Sequence, residues 1–285
     1  MPKVSVLMPI YKTDEKYLRC AIESILAQTF GDFEFLILDD CPEDSREAVV
    51  KAYADKRIKY LKNEQNMGIT PSRNKLIEMA KGEYLAVMDH DDISLPDRFI
   101  KEVAYLDEHP TVGVVSSNVK TLIRNHVSVN PTENHEIKLS LMRTCAINHP
   151  AAMIRKKVLL DHRIRYEEEF SPAEDYALWC RLIPYTEFHN VDEILFLYRD
   201  HGDNTSHHQS GKMRSATYAI WAFVKNDNPK LYDEFLLKAK HVSRVRLFGF
   251  IPLIKKVTQG TSTKTYLFEK ILLSSSKTTI KLKGK

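Results

Sequence analysis

Nowhere does the 285-residue sequence approach the ~20 consecutive apolar residues that a membrane-spanning helix needs, so any membrane contact is expected to be peripheral. No basic, apolar leader opens it: Met1-Pro2-Lys3 runs straight into the strand-like Val4-Ser5-Val6-Leu7-Met8, and a cytoplasmic location is the expectation. Cysteine is scarce. Cys20, Cys41, Cys145 and Cys180 lie far apart with neither CxxC nor metal-ligand spacing, which points to reduced, buried thiols. There is no GxxxxGK[ST] phosphate loop, no internal repeat and no low-complexity linker.

What is present is enough apolar residue, 43% of the chain, to bury one large core, or one core with a small appendage. Charge is unevenly spread. From Lys238 onward twelve Lys or Arg face a single acid, Glu269, a local +11; with +4 overall, the residues before Lys238 carry −7. An acidic body suits a site for a metal and a phosphorylated ligand, and a basic tail suits an anionic surface.

Apolar runs alternate with amphipathic stretches. Val4-Ser5-Val6-Leu7-Met8-Pro9 reads as a strand, and residues 15–28 set Leu18, Ile22, Ile25 and Leu26 at helical spacing. Glu34-Phe35-Leu36-Ile37-Leu38 ends in Asp39-Asp40; a helical stretch over 45–53 and a short strand over 58–61 follow. A polar turn over 63–68, a helix over 70–79 and the strand Tyr84-Leu85-Ala86-Val87-Met88 complete the pattern. Such alternation predicts a mostly parallel sheet flanked by helices, with ligands at the carboxyl ends of its strands. Farther on, the spacing predicts a helix after Pro96, a strand over 112–115, a helix over 174–182 and a strand over 194–198. Amphipathic helices are expected over 212–224 and 231–248, while residues 116–149 carry no clear period.

Both acidic clusters directly follow apolar strands, so a parallel sheet brings them to one edge. Asp89-His90-Asp91-Asp92 sets three carboxylates within four residues, a repulsion that is costly unless a cation or hydrogen-bond donors offset it. Hard oxygen ligands favour Mg²⁺ or Mn²⁺, ions that keep waters and bind substrate phosphates. By itself the cluster could equally be an acidic cap on the next helix. Asn66-Met67-Gly68-Ile69-Thr70-Pro71-Ser72-Arg73-Asn74, shortly before it, combines a glycine turn with a helix start, and its arginine could reach a phosphate or anchor an aspartate.

The ordered set formed by residues 4–11, Ser24-Ile25-Leu26-Ala27-Gln28-Thr29-Phe30, Asp39-Asp40, Asn66-x-Gly68-x4-Arg73-Asn74 and Asp89-x-Asp91-Asp92 resembles glycosyltransferase family 2, closely over residues 3–110 and more loosely to about 205. The resemblance implies a GT-A fold, α/β with a Rossmann-like sheet, and an inverting enzyme that takes a hexose or N-acetylhexosamine from a UDP-sugar. It implies that Pro9, Tyr11, Asp39, Asp40 and Arg73 line the donor nucleotide. Asp89 then faces ribose or sugar, and Asp91 binds Mn²⁺ or Mg²⁺. Glu174-Asp175-Tyr176-Ala177-Leu178-Trp179 resembles the family's ED segment, which makes Asp175 the expected general base and Glu174 its orienting neighbour. His201, in Tyr198-Arg199-Asp200-His201, corresponds to a histidine that can join the metal or diphosphate; a structural histidine is the other reading. His149-Pro150 either approaches the acceptor or packs in a turn. Lys12 departs from the family, which usually carries Asn there.

The expected partners are a UDP-sugar and a glycan or lipid-linked glycan acceptor, as in surface-polysaccharide assembly, and no nucleic acid. Residues 1–210 are the expected catalytic domain, divided at 115 into a nucleotide-sugar half and an acceptor half, and 211–285 a helical, basic extension. That extension suits the inner face of an anionic membrane, or else packing or a homodimer contact. A sugar nucleotidyltransferase would share the sheet and acidic site, but Pro9-Ile10-Tyr11-Lys12 lacks the glycine-rich loop such enzymes carry. A silent nucleotide-sugar binder is disfavoured by the joint presence of Asp91, Arg73 and Asp175.

Overall fold

The runs of apolar residues at 4–10 and 33–38 become the centre of a sheet because every position in them is enclosed. The computed structural model describes residues 1–200, 210–247, 251–259, 262–267 and 271–277. In it β1 (Val4–Ile10), β2 (Phe33–Asp39) and β4 (Tyr84–Val87) are buried at all positions, as parallel strands covered on both faces must be. β3 (Ile58–Lys62), β5 (Ile93–Ser94), β6 (Val112–Thr121), β7 (Val127–Ser128), β8 (Met153–Arg155) and β9 (Glu187–Tyr198) complete a nine-stranded sheet. Its order is β3-β2-β1-β4-β8-β6-β9-β5, with β7 paired to β6. Pairing is parallel from β3 through β4 and between β6 and β9, whereas β5, β7 and β8 pair antiparallel. The mostly parallel α/β sheet expected from the sequence is therefore present.

Helices α1 (Glu15–Leu26), α2 (Glu47–Lys51), α3 (Ile69–Met79), α4 (Arg98–Glu108), α5 (Asn134–Leu141), α6 (Lys156–Asp161), α7 (Glu174–Leu182) and α8 (Ser210–Asp227) follow in chain order among those strands. In α1 the predicted stripe is buried at Leu18, Ala21, Ile22 and Ile25, and Asp14 caps the helix by accepting from the Lys16 N–H at 2.8 Å. Polar residues next to that stripe tie α1 to the chain after the acidic turn. Gln28 donates to the Leu95 carbonyl at 2.8 Å and accepts from the Phe99 N–H at 3.1 Å, and the Ser24 hydroxyl accepts from the Ser94 N–H at 3.1 Å. Gly82 lies so close to β1 that a Cβ there would come within 2.5 Å of the Ser5 nitrogen, which explains a glycine just before β4.

The chain divides into two compact units, Met1–Val224 and Lys225–Lys285. In the second, α9 (Pro229–Lys238) leads into β10 (Lys240–Leu247), β11 (Ile251–Gln259), β12 (Ser262–Leu267) and β13 (Ile271–Lys277), an antiparallel sheet in simple sequential order. The expected helix over 231–248 is thus corrected: it ends at Lys238, and the extension is helical only in part. Period-2 alternation of Arg244 and Arg246 with Val245 and Leu247, with β-branched residues recurring through 251–265, outweighs an apolar spacing that also fits a helix. Among the described residues no helix is long and apolar enough to cross a membrane.

One charged pair is sealed inside the first unit. Arg98 and Glu102, one turn apart on α4, are both 0% exposed and meet at 3.1 Å, and Arg98 also donates to the Ala152 carbonyl at 3.0 Å, next to β8. Burial pulls the Arg98 pKa down and pushes Glu102 up, each opposed by the other's charge. Removing one partner leaves an uncompensated charge. Arg98→Met is therefore expected to destabilise the fold by roughly 3–5 kcal/mol in urea unfolding, with Arg98→Met/Glu102→Leu recovering much of the loss. Equal losses in the single and double variants would show that the pair's charge balance is not what the core depends on.

Candidate active site

Register carries the acidic clusters to a common edge. Ile10 lies beside Asp39 in the β1–β2 ladder, and Leu7 beside Val87 in the β1–β4 ladder, so Tyr11, Asp39-Asp40 and Asp89 to Asp92 all emerge at the carboxyl ends of neighbouring strands. Pro9 is buried, and β4 pairs β1 only as far as Leu7, so its missing N–H falls beyond that ladder. Tyr11 is 39% exposed at the rim, with the Lys12 ammonium 5.2 Å from its ring centre.

Asp39 and Asp40 are both buried, and their oxygens hold the walls of the edge. Asp39 accepts from the Cys41 N–H at 3.0 Å, the Arg46 N–H at 2.8 Å and the Tyr60 hydroxyl at 2.8 Å, joining β2, α2 and β3. Asp40 accepts from Asn63 Nδ2 at 2.7 Å and from the Met67 and Gly68 N–H groups, each at 2.8 Å. It thereby fastens the glycine turn ahead of α3. Gly68, at φ 89°, occupies the left-handed region that glycine adopts without steric cost.

From the first turns of α3, Arg73 reaches two carboxylates distant in sequence. It donates to Glu174 Oε1 at 2.7 Å and to Asp89 Oδ1 at 3.4 Å, and so joins the acidic turn to the N-terminus of α7. Burial works against the Arg73 charge, but Asp89, Tyr166, Glu174 and Asp175 outweigh it and its pKa rises. Asp89 is pushed up, first by burial and next by Asp91, against the pull of Arg73. Asp175, half-buried beside Glu174, is raised to about 6 by burial and by the Glu174 charge, with Arg73 and the Tyr176 N–H opposing. A partly reachable carboxyl of that strength can take a proton near neutral pH.

The acidic turn is also held from β9. Asp92, 0% exposed, accepts from the Arg199 N–H at 2.7 Å, while Arg199 Nε donates to the Asp91 carbonyl at 2.7 Å and its guanidinium lies 4.2 Å from the Tyr17 ring centre. Burial, then Asp91 and Asp89, push the Asp92 pKa well up. Among the described residues no group of three or more His, Cys, Asp or Glu converges to hold an ion by itself. Asp89 and Asp91 supply hard carboxylate oxygens from a partly exposed turn, which fits Mg²⁺ or Mn²⁺ completed by water and phosphate and does not fit a closed structural cage. His201 lies outside the described residues.

Sequence reasoning gave Asp92 no role and passed over Arg199, Tyr166 and Tyr60; each acts through a contact across more than twenty residues or through backbone, which no local motif announces. His149 is buried, with Nε2 2.8 Å from the Tyr166 hydroxyl, in a short 3₁₀ turn over His149–Ala151. A broad cleft of about 1290 Å³ lies along the outer side of α3, lined by Asn63, Met67, Pro71, Asn74 and Tyr166 among others. It shares Asn63, Met67 and Tyr166 with the surroundings of Asp40 and Arg73 but contains none of the carboxylates at the sheet edge.

Comparison with known proteins identifies the family and the fold. The sequence model described as Glycosyl transferase family 2 matches residues 5–163, more than half of the chain, which therefore belongs to that family. An uncharacterised glycosyltransferase of Methanocaldococcus jannaschii is 36% identical over 207 residues, covering 70% of this chain and 71% of that protein. An O-antigen biosynthesis glycosyltransferase of Escherichia coli is 30% identical over 232 residues, covering 78% of this chain and 89% of that one. Among solved structures, S. aureus TarS in complex with UDP-GlcNAc is similar with a TM-score of 0.68 at 22% identity, covering 82% of this chain and 70% of that one. A Pyrobaculum calidifontis mannosyltransferase in complex with GDP-Man and Mn²⁺ gives 0.62 at 16% identity, covering 82% and 69%. The fold is GT-A, and the chain is a glycosyltransferase.

The departure at Lys12 now has a physical meaning. Its backbone sits at φ 46°, in the left-handed region where Asn is several-fold enriched, and Asn is the family's usual residue. Lys12→Asn is expected to raise stability by up to about 1 kcal/mol, read as a shift in the urea midpoint. An unchanged or lower midpoint would mean that the lysine compensates through its contact with Tyr11.

Proposed function

We propose that the chain moves a hexose or N-acetylhexosamine from a UDP-sugar to a hydroxyl of a glycan acceptor, with inversion, by direct displacement. The observation that carries this reading is the Arg73 bridge, which sets a donor-side carboxylate, Asp89, and the neighbour of a raised carboxyl, Asp175, on one guanidinium. In such a displacement the acceptor hydroxyl attacks the anomeric carbon as the nucleoside diphosphate departs, so the protein must remove one proton and stabilise one leaving group. Asp175 takes the proton; Glu174, fixed by Arg73, orients it. Pro9 and Tyr11 line the base and ribose, Asp39 keeps that wall in place, and Asp40 both fastens the glycine turn and offers its remaining lone pairs to a base N–H. Asp89 faces the ribose or the sugar.

Asp91 is the proposed protein ligand of Mn²⁺ or Mg²⁺, with His201 a second, and when bound the ion offsets charge on the departing diphosphate. Support for a uridine donor comes from the fold shared with TarS, whose complex holds UDP-GlcNAc; the mannosyltransferase complex holds GDP-Man, so both donors belong in the test. The O-antigen relative supports a surface-polysaccharide acceptor. Residues 1–115 are the proposed donor half and 116–210 the proposed acceptor half.

Purified protein incubated with a panel of UDP-sugars and GDP-mannose, with Mn²⁺ or Mg²⁺, is expected to hydrolyse or transfer from a UDP-sugar and to stall with EDTA. Turnover of GDP-mannose alone would overturn the donor assignment, and no UDP binding or turnover would overturn the whole reading. Asp91→Ala is expected to abolish metal-dependent donor binding, whereas Asp175→Asn keeps UDP binding and loses about 10²–10⁴-fold in transfer rate.

The pH profile gives an independent check. Asp175 is a base only when deprotonated, so the rate should fall about tenfold per unit as pH drops below about 6 and level off above it. A profile without this acid limb, or one unchanged in whatever activity Asp175→Asn retains, would assign the proton transfer to another group.

A further inference from the structure

Arg73 is held by more than its two carboxylates. The next residue, Asn74, turns its amide to the backbone of Tyr166: Nδ2 donates to the Tyr166 carbonyl at 2.9 Å, and Oδ1 accepts from the Tyr166 N–H at 3.0 Å. This pair of bonds takes the place of a strand partner for a residue 92 positions away. The Tyr166 ring lies against Arg73, with the guanidinium carbon 5.5 Å from its centre. Its hydroxyl meets His149 Nε2 at 2.8 Å, and the His149 ring is itself 5.9 Å from Trp179 on α7. Tyr166 and His149 are 3% and 5% exposed, so neither is held by water. Burial, reinforced by Arg73 and Arg98, keeps His149 neutral, which lets Nε2 accept a hydrogen bond from the tyrosine hydroxyl. Arg73 Nε is buried without a hydrogen-bond partner, so hydrogen bonds alone do not fix the plane of the guanidinium; the tyrosine face supplies the remaining constraint.

We propose that Tyr166, clamped by Asn74 and His149, is a positioning residue for sugar transfer: its ring fixes the plane in which Arg73 spans Asp89 and Glu174. This rests on the transfer reaction proposed above. Tyr166 touches no reacting atom; it acts through Arg73. The consecutive Arg73-Asn74 then has one purpose, with the arginine reaching the carboxylates and the asparagine securing the surface that backs it.

The test is a double-variant cycle in kcat, using the UDP-sugar that the wild-type protein turns over, with UDP affinity measured by calorimetry and folding by urea unfolding. Tyr166→Leu is expected to lower kcat about 10²-fold, the scale of an ångström's misplacement, with donor KM and UDP affinity within about threefold. Tyr166→Phe, which keeps the ring, should return kcat to within about fivefold of wild type. Arg73→Ala/Tyr166→Leu should be no slower than Arg73→Ala alone, because the tyrosine has nothing left to position. Losses that multiply in the double variant, a wild-type kcat in Tyr166→Leu, or UDP affinity falling in step with kcat would each overturn the proposal. If Tyr166→Leu does not fold, Asn74→Ala replaces it in the same cycle and is read by the same outcomes. Absence of turnover in the wild-type protein would overturn the transfer reading itself, whereas wild-type turnover with multiplying losses would overturn only the role of Tyr166.

Discussion

Carboxylates that would repel one another share the carboxyl edge of this sheet, and the Arg73 guanidinium lets two of them, Asp89 and Glu174, lie close together. Asp89 and Glu174 come from segments 85 residues apart in the chain and are joined through Arg73. Without that cation, the acidic turn after β4 and the N-terminus of α7 would present unshielded like charge to each other in a region where water screens poorly. Much of the remaining architecture serves the placement of that one side chain. The glycine turn, fastened by Asp40, sets where α3 begins; the buried backbone of β4 sets where the turn emerges; and the chain around Tyr166 closes over the arginine from the far side.

A division of labour among the acids follows. Asp39, Asp40 and Asp92 each accept from the protein's own N–H or O–H groups, so they shape the edge. Asp91 and Asp175 are left partly open to solvent, and Asp175 carries the raised proton affinity that the proposed displacement calls for. Two acids adjacent in sequence can thus differ in setting: Asp92 is enclosed and accepts from the Arg199 N–H, while Asp91 keeps part of its surface exposed.

The first half of the catalytic unit was legible in the sequence because parallel strands buried on both faces leave continuous apolar runs, and because each strand-to-helix junction carries its own polar signature. Residues 116–149 were not legible. β6 there is paired through Thr121 with β9, whose partner residues lie some seventy positions later, and no local period records that pairing. The C-terminal sheet was missed for a different reason: its alternating Val and Arg also satisfy a helical stripe when the window is short. At the site, the carboxylates and Arg73 stood out as residue types in a recognisable order. Arg199 and Tyr166 did not, since their partners are a backbone carbonyl and the face of a ring.

β8, the single strand between β4 and β6, runs against both and makes ladder bonds to each. It stitches the portion that carries Asp89 to the portion that carries β9 and Arg199, making one unbroken hydrogen-bonded layer. A hinge between these portions would have to unzip a ladder at the centre of the core, so the catalytic unit is not a pair of jaws. Access to the site therefore falls to the loops along the rim rather than to a parting of the sheet.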